Sequence, residues 1–141
     1  IQTVKTKSVI LDHVEKIEEL AEMKSLTFKT NLDDEHTLTI DPGLLDVLLR
    51  NLIKNAIRYA RSSTVIYIRT YENVLEVSNI GEKTEFPEEE IFNRFRRGNN
   101  DKTLGLGLAI VKKICDVNNL TIDYSYHQDQ HTFTITETKE A

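Results

Sequence analysis

The sequence predicts an α+β fold with helices stacked on one face of a sheet, and three observations carry that prediction. Stretches of helical apolar period are interspersed with short runs rich in Val, Ile, Thr, Tyr and Phe. The strand runs come in pairs around single helices rather than in strict β-α-β alternation. The chain has 141 residues, 39% apolar and 29% charged, which suits one globular domain with a core of its own.

Taken in order, Val14, Ile17, Leu20, Ala21 and Met23 recur near helical spacing and predict a helix over residues 12–24. Residues 26–32 and 37–40 read as strands on either side of the polar turn Asp33-Asp34-Glu35. Asp41-Pro42 starts a second helix, because Asp can cap the first free amides and Pro suits the first helical position. That helix runs to about Ala60. Residues 65–71 and 74–78 alternate as a hairpin turning at Glu72-Asn73. Residues 79–104 are mostly polar, with a short helix predicted over 87–95. Gly107 opens an apolar helix to about Val117, and residues 120–126 and 132–138 close the chain as a second hairpin.

Composition narrows the function. Eighteen basic against 23 acidic residues leave a net charge of −5, which argues against a nucleic-acid footprint over the surface. The short basic run Arg94, Arg96, Arg97 does not overturn that. One cysteine, Cys115, excludes an internal disulfide framework, fits a reducing compartment and reads as a small core residue. No run approaches the ~18 apolar residues of a membrane-spanning helix. The opening Ile1-Gln2-Thr3-Val4-Lys5 has no initiator Met and no signal pattern, so it reads as an excised piece of something longer.

The second helix is the most informative segment. Leu45, Leu48, Leu49, Leu52, Ile53 and Ala56 form one apolar stripe, and Asp46, Arg50 and Lys54 lie opposite it. Asn51, Asn55 and Arg58 follow i, i+4, i+7 spacing along the border. Asn is a poor helix-interior residue, because its amide competes with the backbone. Two readings stand at this point: hydrogen bonds to neighbouring loops, or a polar ligand along that edge. An amide oxygen suits a hard cation such as Mg²⁺, and an arginine suits phosphate. Glycine is scarce, at 5 residues, yet it recurs in Ser78-Asn79-Ile80-Gly81 and Leu104-Gly105-Leu106-Gly107-Leu108. Glycines at a helix start admit phosphate to backbone amides. Between the two segments lies Ile91-Phe92-Asn93-Arg94-Phe95-Arg96-Arg97-Gly98.

In this order the segments resemble the catalytic ATP-binding domain of sensor histidine kinases, in the GHKL superfamily. Asn51 through Asn55 is similar to its asparagine box and Ser78 through Gly81 to its first glycine box. Phe92 through Arg97 is similar to its phenylalanine box and Gly105 through Leu108 to its second glycine box. The resemblance covers roughly residues 38–138. It implies a Bergerat fold, a two-layer α/β sandwich with a mixed sheet covered on one face by helices. ATP and Mg²⁺ would lie between helices and a mobile lid, residues 98–104. Asn55 is implied as the Mg²⁺ ligand and a catalytic residue, with Asn51 a nearby polar partner. Arg58 and Tyr59 would approach phosphate and nucleotide, Asn79 the adenine amino group, and Gly81 would admit the adenine. Arg97 is implied as a catalytic arginine near the γ-phosphate. The nucleotide contacts continue through Thr103, Leu104, Gly105, Leu106, Gly107 and Leu108. The chain departs from the pattern at Asn79, often Asp, and at Lys83 and Thr103, often Gly; the last two bear on lid geometry.

Clamp-type ATPases of the same fold place a Glu where this chain has Asn51, which cannot serve as a base. The resemblance therefore implies a protein-histidine kinase that transfers the γ-phosphoryl group of ATP to a histidine on a separate domain. Other readings are a degenerate nucleotide-sensing or protein-binding module, and an anti-sigma-type serine kinase. No acceptor histidine motif is present: His13 reads as a surface helix residue and His36 as part of a polar turn. His127 and His131 flank Gln128-Asp129-Gln130 and are placed to face each other across the hairpin, with no third metal ligand evident. Residues 1–11 read as a joint to an upstream dimerisation and phosphoacceptor domain, and residues 12–141 as the catalytic domain. The implied partners are that domain and, through it, a response regulator, with no nucleic acid and no direct membrane contact. A cytoplasmic location is implied for this domain, and the sequence is silent on whether the parent protein is a membrane-bound sensor.

Overall fold

A computed structural model describes residues 1–84, 88–93 and 102–138, and over residues 102–106 the backbone alone. The elements are β1 (Gln2–Lys5), α1 (Thr6–Glu22), β2 (Thr27–Asn31), β3 (Thr37–Ile40), α2 (Pro42–Tyr59), β4 (Val65–Tyr71) and β5 (Val74–Ile80). A 3-10 turn at Glu88–Glu90 follows, then α3 (Lys102–Val117), β6 (Leu120–His127) and β7 (Gln130–Glu137). Five strands form the main sheet in the order β2-β4-β5-β7-β6, and β1 pairs with β3 in a separate two-stranded sheet. The main sheet is mixed: β2 runs parallel to β4 and the remaining pairs are antiparallel.

Strand alternation sets the layers. Ile66, Ile68, Leu75, Val77, Phe133, Ile135, Leu120 and Ile122 are buried on one face. On that face α2 packs against β5, with α1 and α3 at its flanks. The predicted stripe of α2 is the centre of the core: Leu45, Leu48, Leu49, Leu52, Ile53 and Ala56 are all buried, whereas Asp46, Arg50 and Lys54 are exposed. The helix starts as its sequence dictates, Asp41 accepting a hydrogen bond from the Gly43 amide at 2.9 Å with Pro42 next in line.

Several expectations are corrected. The first helix occupies Thr6–Glu22 rather than 12–24, because Ile10 extends the buried row of Val14 back by one turn. Met23 lies past its end and is 82% exposed. Residues 2–5 form β1 and residues 6–11 the first turns of α1. The two early strands do not pair with each other; β2 joins β4 and β3 joins β1. Of the helix expected over 87–95, the described residues hold one 3-10 turn, Glu88–Glu90. The last helix begins at Lys102, so Gly105 and Gly107 lie within it rather than at its entrance. His36 belongs to its turn through its backbone, yet its side chain is buried with Nδ1 2.6 Å from the Thr6 hydroxyl. His127 and His131 do not face each other. His127 pairs with Gln130 and is exposed, whereas His131 pairs with Tyr126 and is buried, because successive residues point to opposite faces. Cys115 is fully buried in the core, and burial pushes its thiol up to about 12, out of reach of nucleophilic chemistry. Among the described residues no helix is long and apolar enough to cross a membrane.

Candidate nucleotide site

Asn51, Asn55 and Arg58 line one cleft of about 530 Å³, together with Gly107 and Leu108 of α3. Helical spacing puts the three α2 residues on one edge, and the close approach of α3 makes that edge a wall. Gly107 suits the approach: a Cβ there would sit 3.1 Å from Asn51 Oδ1, tighter than ordinary contact. The Asn51 amide is held in turn by the Val47 carbonyl, to which Nδ2 donates at 2.8 Å. Bound in this way and without a carboxylate, Asn51 offers no base for water activation.

Asn55 differs from Asn51. It is 6% exposed, and its Oδ1 has no hydrogen-bond partner among the described residues. A buried carbonyl oxygen left unpaired costs free energy, about 1–3 kcal/mol in protein interiors, so it marks a place where a ligand is anticipated. A hard cation sharing its shell with phosphate oxygens matches a single amide oxygen of this kind.

A second cluster adjoins the first. Gly81 follows β5 and lies against the end of α2, where a Cβ would meet the Tyr59 carbonyl oxygen at 2.3 Å and Asn79 Nδ2 at 3.3 Å. Asn79 is 1% exposed, and its Nδ2 is likewise without a partner among the described residues. One planar amide head presents both a donor and an acceptor, so Asn79 keeps the capacity to read a purine edge without a carboxylate's charge. Tyr59 is half-buried; burial pushes its hydroxyl pKa up, against the opposing charge and hydrogen bond of Arg58.

The cleft carries cations that periodicity alone does not single out. Lys24 and Lys54 line it beside Arg58, and none of its described lining residues is acidic, although the chain is acidic overall. Lys54 reads from the helix wheel as solvated; it is exposed and still borders the cleft. Lys24 follows α1, and its ammonium donates to the carbonyls of Ile57 at 2.9 Å and Arg58 at 3.1 Å. Burial, reinforced by the Arg58 charge, holds its pKa below the ordinary lysine value. A cation at a helix C-terminus is a known local signal. This one comes from the turn after another helix, so no local pattern announces it.

Thr103, Leu104, Gly105 and Leu106 lie in the first turns of α3, where the description covers backbone only. Arg97 and the remainder of residues 94–101 lie outside the described residues, as does most of the expected lid.

Comparison with known proteins identifies the family of the chain. Residues 40–140 match the family described as histidine kinase-, DNA gyrase B- and HSP90-like ATPases. The sensor histidine kinase HprS of Escherichia coli strain K12 is 32% identical over 135 residues, covering 90% of this chain and 28% of that protein. The heme sensor protein HssS of Staphylococcus haemolyticus is 30% identical over 137 residues, covering 92% and 30%. The chain thus spans less than a third of the curated relatives it matches. In fold it is similar to the mycobacterial sensor histidine kinase MprB, with a TM-score of 0.78 at 21% identity over 95% of this chain and 94% of that one. The nucleotide-free catalytic domain of histidine kinase ThkA gives 0.75 at 20% identity, over 95% and 92%. With the matched span reaching from β3 through the cleft to the last strand, the chain belongs to the histidine kinase-, DNA gyrase B- and HSP90-like ATPase family, in the form of the catalytic ATP-binding domain of sensor histidine kinases.

Proposed function

We propose that this domain binds Mg²⁺–ATP in the cleft between α2 and α3 and passes the γ-phosphoryl group to a histidine of a separate phosphoacceptor domain. The observation that carries the reading is the Oδ1 of Asn55, without a partner among the described residues and buried at the wall of a cleft lined by Lys24, Lys54 and Arg58. Asn55 would give Mg²⁺ its protein ligand, and the metal would neutralise phosphate charge. The three cations hold the triphosphate, Asn79 reads the base, and Gly81 leaves room for it. Arg97 and the α3 segment from Thr103 to Leu108 are assigned to the phosphate end. Phosphoryl transfer of this kind needs positioning and charge compensation rather than a strong base, because an imidazole nitrogen is already nucleophilic. One acceptor ring nitrogen bonds to the γ-phosphorus, the bridging P–O bond breaks, and ADP leaves. Asn51 fits this reading, since it offers no base to direct the group to water.

The proposed partners are the phosphoacceptor domain of the same parent protein, with residues 1–11 on the side that connects to it, and a response regulator beyond. Titration with a non-hydrolysable ATP analogue, with and without Mg²⁺, is the first test. Asn55→Ala is expected to weaken Mg²⁺-dependent binding roughly tenfold or more, about 1.4 kcal/mol, without unfolding the chain. The phosphoacceptor domain is then supplied in trans with labelled ATP. Acid-labile, base-stable label on the acceptor marks phosphohistidine. Label on a serine, or a wild-type chain that binds no analogue, overturns the reading.

A further inference from the structure

The β6–β7 hairpin clamps the two residues that follow β5. The Gly81 amide donates to the Asp129 carbonyl at 2.8 Å, and the Tyr126 hydroxyl donates to the Gly81 carbonyl at 3.1 Å. His131 Nε2 lies 2.7 Å from the Glu82 carbonyl, while its Nδ1 lies 2.6 Å from the Tyr124 hydroxyl. A carbonyl only accepts, so Nε2 carries the proton and Nδ1 accepts from Tyr124. The ring is 4% exposed and stands in register opposite both Asn79 and Tyr126. Both of its nitrogens are therefore used in the neutral form. The ring also belongs to an aromatic column, with centroids 4.6 Å from Tyr126 and 5.8 Å from Tyr124; Tyr124 in turn packs on Phe133 and Phe133 on Phe92.

The path of this segment matters because its tolerance is small. At Gly81 a single added carbon would already collide with the Tyr59 carbonyl, and Asn79, two residues earlier, holds an amide donor with no partner among the described residues. We propose that His131 is a positioning residue for the nucleotide site, holding the Glu82 carbonyl so that Gly81 and Asn79 keep the path the bound base requires. This rests on the reading of the cleft as a nucleotide site.

Burial pushes the imidazole pKa below its ordinary value, opposed by the hydrogen bond to Glu82. Among the described residues, the charged and titratable groups around the cluster are Glu88 from the 3-10 turn, whose Oε1 accepts from the Tyr126 amide, Asp129 in the hairpin turn, Glu82, Arg61 near Tyr126, and the two tyrosines. From β5 only the neutral Asn79 faces the ring. Because the folded pKa is lowered, the neutral clamp contributes fully above about pH 6.5 and is lost as pH falls below that toward the lowered value.

The test compares the wild-type chain with His131→Phe, which keeps the ring, and His131→Gln, which restores a donor and an acceptor. Binding of an Mg²⁺–ATP analogue and hydrogen exchange at the Gly81 amide are read for each. His131→Phe is expected to weaken binding roughly five- to tenfold and speed Gly81 exchange about tenfold, with His131→Gln returning both to within about threefold of wild type. The wild-type chain is expected to lose affinity as pH falls through the lowered pKa of the ring, more steeply than His131→Gln, which has no titrating ring. Equal binding by wild type and a folded His131→Phe overturns the role, as does a His131→Gln variant no better than His131→Phe. Were His131→Phe not to fold, Tyr124→Phe decides: weakened binding supports the role and unchanged binding overturns it. A wild-type chain that binds no analogue overturns the proposed function itself, and this role with it.

Discussion

Ser25, Ser63, Glu72, Asn119, Gln128 and Asp129 are the left-handed positions among the described residues, and none of them is glycine. Gln128 and Asp129 are consecutive, at φ 49° and 66°, as a two-residue hairpin turn of the primed type requires. Glycine is used differently here. At Gly81 and Gly107 the backbone conformation is ordinary, and the missing side chain lets another element come close. At Gly81 the neighbour is a backbone carbonyl that belongs to α2 and has little freedom to yield. Gly81→Ala is expected to cost roughly 2–3 kcal/mol, within the range of overpacking substitutions, and to abolish nucleotide binding in the fraction that folds. Thermal unfolding and analogue titration check the two effects. An alanine variant with unchanged melting and affinity would show that the end of α2 can move aside.

At the scale of elements, α2 is the part of the molecule whose behaviour its own sequence states most fully. Its period predicts the buried stripe, its Asp41-Pro42 start supplies the cap, and its border residues line the cleft. Its far end is different, because the last carbonyls have no partner in the helix itself. Lys24 of the α1 end supplies one, bonding Ile57 and Arg58 and tying α1 to the end of α2, where Tyr59 meets Gly81. Lys24→Met keeps the aliphatic stem and removes the donors. It is expected to lower stability by about 1 kcal/mol, discounted for partial exposure, and to weaken analogue binding severalfold through the lost cation. Denaturant midpoints and titration measure these separately. A variant that loses stability but not affinity would confine Lys24 to the role of a cap.

Across the whole molecule, Glu137 joins the two sheets. Its carboxylate accepts from the Thr39 amide at 2.6 Å and from the Thr39 hydroxyl at 3.3 Å, while its backbone is hydrogen-bonded to Asn73 in the β4–β5 turn. One residue of β7 thus fastens the small β1–β3 sheet to the main one. Glu137→Ala is expected to cost about 1 kcal/mol and to speed amide exchange in β1 and β3 ahead of the main sheet. Uniform protection across both sheets in that variant would mean that packing of Ile10 and Leu38 holds them together without it.

The sequence by itself determined the fold class, the stripe and cap of α2, both later hairpins, and the shared edge of Asn51, Asn55 and Arg58 that lines the cleft. All of these follow from residues within a few positions of one another, where helix and strand periods act directly. Tertiary structure alone decided that β2 joins the sheet in parallel, that His36 is buried beneath Thr6, that Lys24 reaches the end of α2, and that His131 holds Glu82. The reason is physical. The last two contacts join residues 33 and 49 positions apart, and each satisfies a backbone carbonyl that any residue type presents alike. No side-chain pattern marks which carbonyl will need a partner until the chain has folded around it.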